Sequence, residues 1–141
     1  MSGPHTPREP VFDPSAFYAN VVYIGPDGDA DLSFAMTMVD DFLERVPIEM
    51  AALCSHVRSH DLPAVRSVAH TLKSLCATFG AQRLAHLLVE LEGAALGGDG
   101  DAVARLAELV GGDVAAAEEA LDTQRRQLAL ALDSSEVRSG G

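Results

Sequence analysis

Val65-Arg66-Ser67-Val68-Ala69-His70-Thr71-Leu72-Lys73-Ser74-Leu75-Cys76-Ala77-Thr78-Phe79 alternates apolar and polar residues with the period of a helix. With His70 at zero and ~100° per residue, Val65, Val68, Leu72, Leu75, Cys76 and Phe79 fall between roughly 140° and 240°. His70 stands at the centre of the opposite face, flanked within about 60° by Arg66, Ser67, Lys73, Ser74 and Ala77. The stretch is therefore a helix with an apolar back to bury, and a front carrying one imidazole among small and cationic side chains.

Both flanks set the limits of that helix. Upstream, His60-Asp61-Leu62-Pro63 is a break, and Asp61 is suited to cap the helix that follows. Downstream, Gly80 is suited to the left-handed conformation of a helix C-terminus. The next helix, from Ala81 to about Leu96, carries Leu84, Leu87, Leu88, Leu91 and Ala95 at helical spacing, and Gly97-Gly98-Asp99-Gly100 ends it. Gly80 thus joins two antiparallel helices, with His70 ten residues before it and Glu92 twelve after. The two residues should lie at similar heights on neighbouring helices.

The remaining chain extends the same pattern. From Asp31 to about Ser59, Leu32, Ala35, Val39, Phe42, Leu43, Val46, Met50, Leu53 and Val57 follow spacings of three and four, predicting one long amphipathic helix bent at Pro47. From about Asp101 to Leu132, Val103, Leu106, Val110, Val114, Ala117, Leu121, Leu128 and Leu132 predict a last helix. Its apolar phase is unchanged across Gly111-Gly112, which favours a bent continuous helix. Asp13-Pro14 starts a short first helix on Phe17, Val21 and Ile24, ended by Gly25-Pro26-Asp27-Gly28 and placed as a lid on one end of the bundle. The expectation is an all-α, antiparallel four-helix bundle over residues 12–133, with a short extra N-terminal helix. A flexible leader, 1–11, and a flexible tail, 134–141, would flank it.

Composition agrees with that class and excludes others. The 141 residues include ten Lys and Arg against twenty-one Asp and Glu, a net charge of -11, which disfavours nucleic acid and anionic membranes as partners. Tryptophan is absent and aromatics make up 5%, as suits helices better than sheets. No apolar run approaches the ~20 residues of a membrane span and no signal pattern opens the chain, so the cytoplasm is the default location. Cys54 and Cys76 fall on or beside apolar faces and read as small buried thiols. His56 and His60 are four apart and Asp61 follows, but no third or fourth metal ligand is recognisable, so no metal site is expected. A Glu-x-x-His pair of the kind that builds di-iron bundles is absent as well.

Taken alone, the pattern leaves His70 as either a nucleophile or an ordinary surface histidine, Lys73 as a catalytic cation or a solvated lysine, and Glu92 as a partner of the imidazole or a solvated glutamate. An imidazole offers a nucleophilic lone pair near neutral pH, and a cation one turn away can meet phosphoryl oxygens.

Ala69-His70-Thr71-Leu72-Lys73, followed by Phe79-Gly80-Ala81 and then Leu84 and Leu91-Glu92, resembles the histidine-containing phosphotransfer (HPt) domain of multistep two-component signalling. The resemblance implies that His70 is the phosphorylated nucleophile, that Lys73 stabilises the phosphoryl group, and that Glu92 holds one ring nitrogen. It implies a phosphocarrier rather than an enzyme, without autokinase activity, relaying phosphate between aspartates of response-regulator receiver domains. Those partners would be a hybrid histidine kinase and a downstream regulator. Arg66, Ser67, Ala69, Ser74 and Ala77 would form the contact face of a monomer with no cofactor, magnesium belonging to the receiver. Ser74 departs from the family's commoner glycine but remains small. The rival expectation is a docking or scaffold bundle that binds receivers without being phosphorylated.

Overall fold

A computed structural model describes residues 11–140, the side chains of Tyr23 and of 135–140 excepted. All but Val11 of the expected leader lies outside the described residues. Helix α1, Pro14–Val21, opens as the sequence dictates: Asp13 accepts a hydrogen bond from the Ser15 amide at 3.0 Å, and Pro14 holds the first turn. It buries Phe17 and Val21. Beyond it, strands β1, Tyr23–Ile24, and β2, Ala30–Asp31, pair antiparallel, Tyr23 opposite Asp31 and Ile24 opposite Ala30. Ile24 therefore does not extend the apolar edge of α1; the helix has already ended, and Ile24 is exposed.

Helix α2, Leu32–Arg58, is capped by Asp31, which accepts from the Phe34 amide at 2.9 Å, and it runs unbroken through Pro47. Helices α3, Leu62–Thr78, α4, Gln82–Leu96, and α5, Gly100–Gly140, complete the chain. Helix α5 is continuous across Gly111-Gly112 and its backbone stays helical to Gly140, beyond the Asp133 at which the sequence pattern ends the bundle.

Helices α2, α3 and α4 end alike. A left-handed residue follows the last turn, His60 at φ 57°, Gly80 at 85° and Gly98 at 75°. The next amide, of Asp61, Ala81 or Asp99, donates back to the carbonyl of His56, Cys76 or Ala94 at 2.9–3.0 Å. Asp61 and Asp99 also begin the following helix, accepting from the amides of Ala64 at 3.2 Å and Ala102 at 3.1 Å. No free linker residue separates these helices.

The four long helices pack in a ring: α3 on α4 most extensively, then α2 on α5, α4 on α5 and α2 on α3. Each helix contributes a fully apolar stripe, and among the described residues no polar side chain is buried in the core. Phe42 of α2 and Phe79 at the end of α3 meet with ring centroids 4.7 Å apart. Each such fully buried side chain contributes about 1.5–3 kcal/mol. On α3 the buried stripe is Val65, Ala69, Leu72, Cys76 and Phe79, whereas Val68 and Leu75 are only half-buried. The buried arc is thus turned about 30° from the one read off the sequence, towards Ala69. Helix α1 seats on the α3–α4 turn: the Asp13 amide donates to the Gly80 carbonyl at 2.8 Å, and a Cβ on Gly80 would lie 2.6 Å from the Asp13 carbonyl oxygen.

Candidate functional site

The α3–α4 hairpin positions the site. Its apolar seam, Leu72 and Cys76 on one side and Leu84, Leu88 and Leu91 on the other, is fully buried and fixes how far the two helices slide past one another. His70 and Glu92 then meet at the rim of that seam. The imidazole Nδ1–H donates to Glu92 Oε2 at 3.1 Å, and Lys73 donates from Nζ to Glu92 Oε1 at 3.3 Å. One carboxylate therefore holds an imidazole and an ammonium with its two oxygens.

The electrostatics follow from exposure. The His70 side chain is 62% exposed, while Glu92 is 21% and Lys73 29% exposed, so the ring lies open above a carboxylate that is mostly covered. Partial desolvation acts to raise the Glu92 carboxyl, but hydrogen bonds from Lys73 and His70, aided by their charges, outweigh it and hold the group below the usual glutamate range. An ionised carboxylate only accepts hydrogen bonds, so the nitrogen facing it carries the proton. That leaves Nε2 as the nitrogen with the free lone pair. Lys73 Nζ approaches Nδ1 to 3.5 Å. Since that nitrogen already bears hydrogen, the approach is proximity rather than a hydrogen bond.

The remaining residues singled out in the sequence divide into three groups. Arg66 and Ser67 are exposed and, with Pro63, Thr71, His70 and Glu92, line an open cleft against the ring. Ser74 is exposed on the next groove, between α2 and α3, which Met38, Arg45 and Leu75 also line. Ala77 is half-buried, and Ala69 is fully buried among the core residues. Ala69 cannot present its side chain to a partner: the rotated burial of α3 turns it inwards. Pro63 and Thr71 were not singled out in the sequence. Pro63 lies seven residues before His70, two helical turns up the same face, and that spacing is the signal that would have found it.

The two cysteines differ. Cys76 is buried, and desolvation pushes its thiol up to about 12; Cys54 is exposed, contrary to the expectation for both. Among the described residues, no three His, Cys, Asp or Glu side chains gather closely enough to hold a metal ion, and no helix is long and apolar enough to cross a membrane. Away from the site, Arg83 of α4 grips Asp113 of α5 as a fork, Nε to Oδ2 at 2.8 Å and a terminal nitrogen to Oδ1 at 2.9 Å. Nothing in the local sequence announces this pair, thirty residues apart.

A helical hairpin presenting one exposed imidazole, backed by a carboxylate and closed into a four-helix ring, is the arrangement of histidine phosphotransfer domains. The Hpt domain family model matches residues 37–137, and the chain belongs to that family. Its structure is similar to the crystal structure of histidine-containing phosphotransfer protein B (HptB) from Pseudomonas aeruginosa PAO1. The TM-score is 0.73 at 21% identity, over 84% of this chain and 96% of that one. No curated protein matches the chain at a significant level.

Proposed function

We propose that this protein is a phosphorelay intermediate in which His70 takes a phosphoryl group from the aspartyl phosphate of one receiver domain and gives it to the aspartate of another. The observation that carries this reading is the Glu92 carboxylate on Nδ1, 3.1 Å away, which leaves the Nε2 lone pair free on a ring that is largely exposed. In the forward step that lone pair attacks phosphorus, the bond from phosphorus to the aspartyl oxygen breaks, and its electron pair stays on the departing carboxylate. The ring keeps its Nδ1 proton against Glu92 and becomes cationic. In the second step the receiver carboxylate attacks, the N–P bond breaks, and a neutral imidazole leaves. Because Nδ1–H is held throughout, the leaving group is never an imidazolate. Lys73 balances the charge of Glu92 and adds positive potential beside the ring. Magnesium belongs to the receiver.

Partners would approach the His70 face, where Ser67 and Ser74 are small enough for a receiver active site to descend onto the ring. The test mixes purified protein with radiolabelled phosphorylated receiver domains from the same organism, with His70→Gln alongside. Acid-labile label on the wild type only is the expected result. Binding without any transfer would replace the carrier reading by a docking scaffold.

A further inference from the structure

We infer that Arg66 is the catalytic cation for the phosphoryl group on His70, a role that the family resemblance assigns to Lys73. The inference rests on the carrier reading above and concerns which side of the ring the chemistry occupies. Glu92 and Lys73 both lie at the Nδ1 edge: the carboxylate 3.1 Å and the ammonium 3.5 Å from that nitrogen. The ammonium is committed there by its 3.3 Å bond to Glu92. The two nitrogens point out of the ring in different directions, so a phosphoryl group bound to Nε2 develops its charge away from Lys73.

The open cleft beside the ring contains a different cation. Its lining includes Arg66, Ser67, Thr71 and His70, but not Lys73. Arg66 is four residues before His70, one turn up the same helical face, and its side chain is exposed. Among the described residues it forms no ion pair, whereas Arg45, Arg83, Arg125 and Arg126 each hold an aspartate. The only carboxylate in the cleft lining, Glu92, is already shared between His70 and Lys73. A planar guanidinium with five N–H donors and no competing anion suits two equatorial phosphoryl oxygens. It would meet charge that is greatest in the transition state, when three oxygens share it, and so would accelerate the step as well as bind the donor.

The test uses phosphoramidate, a small donor without a protein surface, so that docking cannot confuse the result. The His70 lone pair attacks phosphorus, the donor's N–P bond breaks, and ammonia leaves with that electron pair. The rate of acid-labile phosphate formation at His70, located by peptide mapping, is compared for the full chain and for Arg66→Gln and Arg66→Lys. We expect Arg66→Gln to slow labelling of His70 by about tenfold, Arg66→Lys to recover much of the loss, and the other histidines to label at unchanged rates. An unchanged rate at His70 in Arg66→Gln, or a loss shared by the other histidines, overturns the assignment. If phosphoramidate labels the wild type at His70 no faster than in the urea-unfolded chain, the carrier reading itself falls, and the role of Arg66 with it.

Discussion

Replacing Gly80 by alanine should destabilise the bundle by about 3 kcal/mol, and the structure shows how that figure divides. Gly80 takes φ 85°, where a Cβ costs about 1 kcal/mol. Gly98 occupies the same place at the end of α4, with φ 75°, but a Cβ there would meet nothing within 4 Å. Gly98→Ala should therefore show the conformational cost alone, about 1 kcal/mol. At Gly80 the added carbon would lie 2.6 Å from the Asp13 carbonyl oxygen and 3.2 Å from the Phe17 amide, both backbone atoms of the α1 start. The helix must shift, which weakens the 2.8 Å bond from Asp13 to Gly80 and the burial of Phe17. A lost hydrogen bond of about 1 kcal/mol and a similar loss of packing supply the difference. His60 completes the series, since it already holds φ 57° with a side chain, and His60→Gly should stabilise by about 1 kcal/mol. Urea denaturation with unchanged m-values would read all three, at roughly 0.5 M in midpoint per kcal/mol. If Gly80→Ala costs no more than Gly98→Ala, α1 does not rest on the α3–α4 turn as described.

Three further outcomes follow from the same geometry. Glu92 is held below its ordinary value of 4.5, so the stabilisation it provides through His70 and Lys73 is complete above that pH and fades as pH falls through its lowered native value. The stability difference between wild type and Glu92→Gln, from urea titrations between pH 3 and 7, should be constant at the upper end and shrink only below about pH 4.5. In native protein a thiol reagent should modify Cys54 at once and Cys76 only on unfolding, one equivalent and then a second; prompt reaction of both would contradict the burial of Cys76. Breaking the Arg83–Asp113 fork should cost about 1–2 kcal/mol for either single alanine variant and little more for the double, since the pair is partly buried and doubly bonded. Fully additive single losses would show that the two residues act independently.

The helices were legible because each buries one continuous stripe, and a stripe of that kind marks itself every three or four residues. The phase carried through Pro47 and Gly111-Gly112 correctly implied unbroken helices there. Asp61 and Gly80 were legible as ends because their backbone roles suit few other residues. Periodicity says less about how a stripe is aimed. An alanine contributes little to an apolar average, so the turn of α3 that buries Ala69 and lifts Val68 and Leu75 towards the surface left no trace. Strands two residues long have no alternation to read, and so β1 and β2 went unseen. Counting residues either side of Gly80 put Glu92 level with His70, but not Lys73 on the same carboxylate, because that contact depends on a long side chain choosing an anion across two helices.

The turn at Gly80 also decides where this chain can change length. The left-handed residue and the next amide close α3 at the point where α4 begins, so no slack is left between the arms of the hairpin. The meeting of His70 with Glu92 is then a matter of whole-number counting. One residue inserted within either arm, between 71 and 79 or between 82 and 91, would advance its partner by about 1.5 Å and swing it through about 100°, carrying the carboxylate off the ring. The same insertion near Gly98, beyond Glu92 and on an exposed turn, would leave the pair untouched. The spacing between these two residues is therefore quantised, and natural or engineered length variation should gather at the α4–α5 turn.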